Sequence, residues 1–547
     1  MDVRRLALMV AAVVSLAPAG CSAASPSSGS SGTTTAEYQR AYQIGLDAYV
    51  YGLPLLVTDA TYQTMTSVDV SQGAYGPPNQ FNNARSANSS GSTAVVAPGA
   101  TSLSSIAWLD LRAEPQVLHV PKVTGHNFVL AFVDPYTENP VNLGTASGTP
   151  PGDYVVTDPS QSGVTIPAGT RRLAVDYSRI WIIGSTQLLG PHDVATVDAI
   201  QDGYTLTPLS KYGSGYQPPV PANPRTTVTK HAPATGPRFF DELGQQLALF
   251  PPPSTDSAAL AQFATVGIGP GRTPSTDATL SGDTVRGLTD AVAAGPATVQ
   301  QDTQSLYAAG FSTHAGYLLG GFGTYGTNYA ERAVISQVGL GAFVAHQAVY
   351  AMAWSDSAKK PLSGSSAYRL HLAAPPPTAE GWSLTVYDLK GALVQNSLDR
   401  YAFTNLSTLT KNADGSVDLY LQATQPTSTT QAANWLPTPA GQGFEVTWRL
   451  FAPTPSAIPG ILGGAGWQPP AIGLVNRPTP GQSRRAVTVT VVSAPCRPRR
   501  MWWRTQELNL ARRPECASPV IAPDASAGRS PRQARRHGFT GGRAPIV

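Results

Sequence analysis

The segment Phe444-Glu-Val-Thr-Trp-Arg-Leu-Phe451 alternates apolar and polar side chains. Successive side chains of a β-strand point to opposite faces of its sheet, so this pattern predicts an antiparallel strand with one face in a core and the other exposed. The same alternation occurs at residues 368–372, 382–387 and 416–421. Together these segments predict a β-sandwich with jelly-roll-like connections over residues 356–472.

A second set of short strands precedes this region. Apolar segments broken by Pro and Gly occur at residues 106–111, 117–120, 127–133, 154–156, 172–175 and 180–184. Such spacing is typical of an antiparallel sandwich or barrel. Ahead of them, Thr35 can cap a helix that begins at Ala36, and Pro54 is expected to disturb its end near Leu53. We assign residues 36–215 to an N-terminal β-rich domain.

The middle of the chain has a helical pattern instead. A proline-rich stretch at 218–224 is followed by amphipathic segments at residues 238–250, 256–265, 285–301 and 328–337. Residues 216–355 are therefore predicted to form a linker and helical bridge. The predicted fold class is mainly β with α, in which two antiparallel β-sandwich or jelly-roll-like domains are joined by this bridge.

Composition and charge agree with a globular, turn-rich body. The 547 residues are 41% hydrophobic and 13% charged, with 52 Gly and 49 Pro. The net charge is +4, but residues 497–547 carry 11 Arg against 3 acidic residues, which leaves −4 for the rest. A slightly acidic body predicts no nucleic-acid partner. Residues 473–547 are predicted to be a basic, disordered tail, and whether this tail is native stays open.

The N-terminus has the pattern of an export signal. Arg4 and Arg5 precede an apolar stretch at 6–17, which is short for a membrane span, and Cys21 follows small residues. Residues 17–21 resemble a lipobox, although Pro18 stands where that motif prefers Leu. We predict a lipoprotein-type signal peptide at 1–21 and a flexible tether at 22–35. The expected location is the cell envelope, with a lipid on Cys21 as membrane anchor; plain secretion is the alternative.

Metal and cofactor motifs are missing from the sequence. The three cysteines are Cys21, Cys496 and Cys516, so the body has neither a disulfide framework nor a cysteine zinc site. Histidines occur without ligand spacing, and no glycine-rich phosphate loop lies between a strand and a helix. We therefore predict no metal and no cofactor.

Polar side chains cluster after one predicted N-terminal strand. Asp134, Tyr136 and Asn139 follow the 127–133 segment, and loops after strands commonly carry binding groups. With Asp110, Asp134 would provide two carboxylates for acid/base chemistry. The catalytic candidates are thus Asp110, Asp134 and Tyr136. The alternative is structural, with Asp forming a turn and Tyr packing on a sheet.

Ligand-binding candidates lie in both β-rich regions. They are Asn139, Asp388, Arg400 and Trp435. An Arg–carboxylate pair can bind a ligand or fix a loop to a sheet edge, and a Trp can stack on a sugar ring or fill a core. Both interpretations stay open for these residues.

Several blocks of sequence resemble known bacterial domains. Those of the first half resemble the domain of unknown function numbered twelve fifty-four: Pro78-Asn-Gln-Phe81, Ala107-Trp-Leu-Asp-Leu111, Asp134-Pro-Tyr-Thr137 and Trp181-Ile-Ile-Gly184. Those of the second half resemble its usual companion, numbered twelve fourteen: Gly381-Trp-Ser-Leu-Thr-Val-Tyr-Asp388, Asp399-Arg-Tyr401, Asn434-Trp-Leu-Pro-Thr-Pro439 and Gly466-Trp-Gln-Pro-Pro470. Tyr329-Ala-Glu-Arg-Ala333 in the bridge is also similar to these proteins.

The resemblance covers residues 36–472 and implies two β-rich domains in an exported protein, without a known reaction. Where the family carries an Asn-x-Asp-Thr-Leu-Tyr run before the Trp-Leu-Asp-Leu block, this chain has Gly99-Ala-Thr-Ser-Leu-Ser104. The loss of those polar groups favours binding over catalysis. We expect an envelope protein that binds a small molecule or glycan or serves a structural role; the alternative is a secreted hydrolase that uses carboxylate and Tyr chemistry near Asp134.

Overall fold

The structure is a computed structural model that describes residues 35–92, 97–190, 192–313, 317–320 and 322–475. The predicted signal peptide with Cys21, the tether up to residue 34 and the tail beyond residue 475 lie outside the described residues. The helices are α1 (Ala36–Met65), α2 (Val194–Asp202), α3 (Arg238–Leu249), α4 (Ser257–Ala264), α5 (Gly282–Thr313), α6 (Tyr329–Val338), α7 (Thr429–Ala433) and α8 (Ile458–Leu462).

The strands fall into two groups, one before and one after the long helices. The first group is β1 (Asn82–Asn83), β2 (Ser102–Asp110), β3 (Gln116–Val120), β4 (Phe128–Val133), β5 (Val141–Gly144), β6 (Gly152–Thr157), β7 (Arg171–Ala174), β8 (Arg179–Gln187) and β9 (Thr205–Pro208). The second is β10 (Leu318–Gly320), β11 (Ala348–Ala353), β12 (Tyr368–Leu372), β13 (Trp382–Asp388), β14 (Ala402–Thr404), β15 (Val417–Gln422), β16 (Trp435–Pro437), β17 (Phe444–Phe451) and β18 (Ile472–Leu474).

The first group of strands forms a sandwich of two sheets. One sheet has the order β1-β2-β8-β4-β5, and the other has the order β7-β6-β3-β9. Side chains from both sheets share one core, among them Leu109, Phe132 and Ile182 from the first and Leu118 and Val156 from the second. The pairing is antiparallel except between β6 and β7. This is the predicted N-terminal β-rich domain.

The second group forms another sandwich. Its sheets have the orders β10-β11-β17-β13-β14 and β16-β15-β12-β18, and among the described strands of this second sandwich only β15 and β16 pair in parallel. Trp448 on β17 lies opposite Leu384 on β13 and Ala351 on β11, and all three face the core. The predicted fold class is confirmed: two β-rich domains are separated by helices.

The predicted exposure of one face of β17 is wrong. Glu445, Thr447 and Arg449 alternate with the core residues, yet they are buried. β17 lies in the middle of its sheet, and the loop at residues 97–98 of the other sandwich covers part of this face. Arg449 donates from Nη2 to the carbonyl of Ala97 at 2.7 Å, and Tyr387 donates its hydroxyl to the carbonyl of Pro98 at 2.8 Å.

The helices build a third core, to which the N-terminal helix contributes most. α1 packs against α5 so closely that a Cβ at Gly45 would lie 2.7 Å from the Cβ of Ala291, and a Cβ at Gly287 would lie 2.9 Å from that of Ala41. Glycine is therefore required at both crossings, since any side chain would push the helices apart. The constant offset between the contacting residues shows that the two helices run in parallel.

The predicted end of α1 near Leu53 is also wrong, because the helix continues through Pro54 to Met65. Proline removes one backbone hydrogen bond from a helix. The burial of Tyr51, Leu55 and Leu56 in the helical core offsets that loss. The far end of α1 reaches the N-terminal sandwich, where Met65 accepts a hydrogen bond from the indole of Trp108.

Candidate functional site

A cleft lies between the two β-sandwiches. On the N-terminal side it is lined by the ends of β4 and β8, with Asn127 and Gln187, and on the C-terminal side by Glu380, Trp382 and Asn405. The sandwiches touch here, because the side-chain amides of Asn127 and Gln187 each reach the main-chain carbonyl of Glu380 at 3.5 Å. Binding sites commonly occupy such domain junctions.

The cleft is small, and a wider groove lies beside it. The cleft has a volume of about 40 Å³, which is room for a few water molecules or for one polar end of a larger ligand. An open groove of about 440 Å³ adjoins it, and Asn127 and Phe128 line both. His126 and Thr149 contribute polar groups to the groove. The groove is of the size that small-molecule sites require, whereas the cleft by itself is smaller.

The carboxyl group of Glu380 has an unpaired oxygen and a raised pKa, which set it apart from the other polar groups of the cleft. Its Oε1 atom is buried without a hydrogen-bond partner. Burial raises the pKa of its carboxyl to about 7, so that at neutral pH the group exists both protonated and ionised. A carboxyl in this state can donate or accept a hydrogen bond.

A second polar region is buried between α1, α6 and the turn after β4, and we refer to it as the tyrosine–arginine cluster. It consists of Tyr51, Tyr136, Asp256, Tyr329 and Arg332. Asp256 accepts hydrogen bonds from the hydroxyls of Tyr51 and Tyr329, both at 2.9 Å. The guanidinium carbon of Arg332 lies 5.1–5.5 Å from the centroids of the three tyrosine rings. The region brings together parts of the chain that are far apart in sequence.

Two catalytic candidates lie in or beside this cluster. Asp134 is buried, and its Oδ1 accepts from the main-chain N–H groups of Tyr136 and Glu138 at 2.8 and 2.9 Å. Tyr136 donates its hydroxyl to the carbonyl of Phe250 at 2.7 Å. Burial, and then the nearby carboxylate of Glu138, raise the pKa of Asp134 to about 8, against the opposing effects of the two main-chain hydrogen bonds and of Arg332.

The third catalytic candidate lies elsewhere. Asp110 ends β2 and pairs with Arg112, whose Nε donates to its Oδ1 at 2.9 Å. Although burial acts in the opposite direction, hydrogen bonds from Arg112 hold the pKa of Asp110 below its ordinary value. Among the described contacts, none joins Asp110 to Asp134 or Tyr136.

The ligand-binding candidates make hydrogen bonds that stabilise turns and strand ends. Asp388 accepts from the main-chain N–H groups of Lys390 and Ala392, and Arg400 donates to the carbonyls of Ala432 and Trp435. The indole of Trp435 donates to the carbonyl of Gln422. Asn139 is buried, and its main-chain N–H donates to the carbonyl of Gly323. The structure does not bring these four residues together at either site.

The sequence interpretation missed Glu380, Asp256, Tyr51 and Arg332. Glu380 lies in a loop without a motif, and Tyr51 lies inside the predicted N-terminal helix without having been singled out. Arg332 belongs to the Tyr329-Ala-Glu-Arg-Ala333 block, which was noted only as a resemblance. An Arg and a Tyr three residues apart share one helix face, and that spacing was the available signal.

The high pKa of Asp134 predicts a pH-dependent stability. The unfolded chain loses this proton near pH 4, but the folded protein keeps it up to about pH 8, so stability falls as pH rises through this window. Asp134→Asn keeps the turn-forming oxygen and removes the titration. Between pH 5 and 7, we expect the free energy of unfolding in urea to fall by on the order of 1–3 kcal/mol more in the natural protein than in this variant.

Asp388→Asn is the matched control for this measurement. Asp388 makes the same pair of turn hydrogen bonds, to the second and fourth residues after it, but it is partly exposed. Its variant should keep the pH profile of the natural protein. Identical profiles for all three proteins would contradict the assignment of the slope to Asp134.

Neither a metal cluster nor a membrane span is found in the part of the chain that the structure describes. No group of three or more His, Cys, Asp or Glu side chains is arranged there to hold a metal ion. None of the helices in that part is both long and apolar enough to cross a bilayer.

The fold and the cleft together define a class: proteins of two β-sandwich domains separated by helices, with a small cleft at the domain junction. Two family profiles match the chain, Protein of unknown function (DUF1254) at residues 78–208 and Protein of unknown function (DUF1214) at residues 347–455. The first profile matches the N-terminal half and the second the C-terminal half, which confirms the resemblance to proteins that pair these two domains.

A solved structure shares the fold. The crystal structure of the VPA0106 protein from Vibrio parahaemolyticus is 19% identical, with a TM-score of 0.58 over 80% of this chain and 100% of that one. A putative uncharacterised protein from Burkholderia cenocepacia is 12% identical, with a TM-score of 0.37 over 80% of this chain and 94% of that one. No curated protein matches the chain. At this identity, the likeness to the Vibrio protein concerns the fold alone.

Proposed function

We propose that the protein is an exported cell-envelope protein that binds a small hydroxylated molecule or a glycan in the cleft between its two β-sandwiches. The observation that carries this proposal is the buried Oε1 of Glu380, which has no partner in the cleft. A buried polar atom without a partner costs free energy, and a ligand hydroxyl would remove that cost.

The rest of the cleft suits such a ligand. Because the pKa of Glu380 is near 7, its carboxyl can donate to a hydroxyl oxygen or accept from a hydroxyl hydrogen. The amides of Asn127, Gln187 and Asn405 add both donors and acceptors. Phe128 and Trp382, which belong mainly to the two cores, supply the apolar part of the cleft wall.

Hydrolysis near Asp134 has less support. Tyr136 and Asp134 are both buried, the hydroxyl of Tyr136 is used by a main-chain carbonyl, and one oxygen of Asp134 holds its own turn. A general acid or base must reach the atom that it protonates or deprotonates. Glu380, by contrast, lines a cleft that has an open groove beside it.

The binding proposal is tested with the full chain on a glycan array, followed by titration calorimetry with glucose, N-acetylglucosamine and their disaccharides. We expect saturable binding of at least one sugar, with a Kd of roughly 10 μM to 1 mM. Glu380→Gln should weaken it at least about tenfold, because it removes the titrating hydrogen-bonding group. Glu114→Gln is the control, since this carboxylate bonds to Ser210 and does not line the cleft. Absence of any binding, or equal affinity in both variants, would refute the proposal.

Export to the envelope is tested separately. The signal pattern of residues 1–21 and the tether of residues 22–35 support it. A reporter fused after residue 35 and expressed in a bacterial host should appear in the membrane fraction, and Cys21→Ser should release it from that fraction. A reporter that stays in the cytoplasm would contradict export, and one secreted identically with either residue at position 21 would contradict lipidation.

A further inference from the structure

The side chain of Arg332 is almost completely buried. It lies on α6 with 1% of its surface exposed, surrounded by the rings of Tyr51, Tyr136 and Tyr329. Aromatic faces attract a cation, but they offer no oxygen to its N–H groups. Removing a guanidinium from water is unfavourable unless its N–H groups are hydrogen-bonded.

The N–H groups on one edge of this guanidinium have no acceptor. Nε and Nη2 of Arg332 are both buried and unpaired. Among the described residues, no Asp or Glu oxygen lies within 4.0 Å of an Arg332 nitrogen. Nε–H and Nη2–H point in parallel from the same edge, which is the geometry that receives the two oxygens of a carboxylate.

The carboxylates near Arg332 accept hydrogen bonds from other donors. Asp256 is held by the hydroxyls of Tyr51 and Tyr329. Glu138 accepts from the main-chain N–H groups of Tyr325 and Gly326 at 2.9 and 3.1 Å. Asp134, whose pKa Arg332 lowers, uses its Oδ1 for the N–H groups of its own turn. None of these three side chains therefore supplies the missing oxygens to Arg332.

A second buried arginine of the same chain, in contrast, has hydrogen-bond acceptors for its guanidinium. Arg449 also lies over two tyrosine rings, those of Tyr350 and Tyr387. It donates from Nη1 to the hydroxyl of Tyr387 at 2.9 Å and from Nη2 to the carbonyl of Ala97 at 2.7 Å. Arg449 thus has its acceptors within the protein, whereas the Nε and Nη2 edge of Arg332 has none.

We infer that Arg332 binds a small carboxylate, which places its two oxygens on Nε and Nη2 and its body against the rings of Tyr51, Tyr136 and Tyr329. A single negative charge matches this place better than a phosphate dianion, because the carboxylates of Asp256 and Glu138 lie nearby and would repel the second charge. This site is formed by α1, α6 and the turn after β4, and it is distinct from the cleft that contains Glu380.

The test uses the full chain, freed of carboxylates by dialysis against chloride buffer, and thermal unfolding with formate, acetate or benzoate at constant ionic strength. At least one of the three should raise the Tm saturably, with a Kd of about 1 mM or tighter, while equal sodium chloride does not. Formate and acetate acting alone indicate a site for a small anion, and a stronger effect of benzoate indicates an aromatic carboxylate; either result supports the inference.

Arg332→Lys is the decisive variant, because it keeps the positive charge and removes the two parallel N–H groups. It should weaken carboxylate binding at least about tenfold, whereas Arg449→Lys should leave it unchanged. If Arg332→Lys does not fold, ¹³C-acetate binding to the natural protein, followed by crystallography at high resolution, gives the answer directly. Two acetate oxygens on Nε and Nη2 support the inference. Water in both positions, or titrations without any carboxylate effect, would overturn it.

Discussion

Replacing Trp448 by alanine is expected to lower the free energy of unfolding by about 3–5 kcal/mol, the range found when a buried aromatic residue is truncated. Trp448 is fully buried at the centre of β17. Its ring lies 5.2 Å from that of Trp382 and 6.0 Å from that of Trp467, between the two sheets of the C-terminal sandwich. The cavity left by alanine cannot close without moving paired strands, because β17 is hydrogen-bonded to β11 and β13 on its two sides.

Urea unfolding followed by circular dichroism measures this loss. Trp448→Phe keeps most of the ring volume and should cost less than half as much as the alanine variant. Val220→Ala serves as the surface control, since Val220 is 71% exposed, and its effect should stay within about 0.5 kcal/mol. A loss below about 1 kcal/mol for Trp448→Ala would be inconsistent with a close-packed core between these two sheets.

Asp256→Ala should be the second most damaging substitution, with a loss of about 2–5 kcal/mol. Asp256 is 1% exposed and lies in the 3₁₀ turn Ser254–Asp256, where it accepts from Tyr51 of α1 and Tyr329 of α6. Alanine would leave two tyrosine hydroxyls buried without an acceptor. It would also remove a negative charge from the neighbourhood of Arg332, which is buried close to both rings.

Replacing each tyrosine by phenylalanine separates the cost of the unpaired hydroxyls from the cost of the lost negative charge. Tyr51→Phe and Tyr329→Phe should each cost about 1–2 kcal/mol in the natural background, because each breaks a hydrogen bond to a charged group. In the Asp256→Ala background, the same two changes should cost little or even restore stability. Additive losses across all combinations, measured by urea unfolding, would show that the three side chains do not act as one network.

Strands were predictable where the alternating pattern was long. The segments 368–372 and 444–451 have the bounds of β12 and β17, and the 382–387 segment is β13 without its last residue. Short strands such as β1, β10, β14 and β18 carry too few residues for a period of two to be recognised. β18 in particular forms only because β12 offers it a free edge.

The candidate site was predictable only in part. Asp134 and Tyr136 were found because a polar cluster after a strand is a local signal. Their partners Tyr51, Asp256 and Arg332 come from other segments of the chain. No local pattern in the sequence shows that folding will remove the guanidinium of an arginine from water. The same holds for Glu380, whose environment depends on how the two sandwiches meet.

The sequence by itself determined the paired domains, the period-two strands, the helical bridge and the absence of a cysteine framework, because these follow from local spacing and composition. Only the tertiary structure decided that the polar face of β17 is buried, that α1 continues through Pro54, and that Glu380 and Arg332 carry unpaired polar atoms. These outcomes depend on desolvation and on partners distant in sequence. The free energy of a buried polar group is set by what surrounds it in space, and no stretch of sequence contains that information.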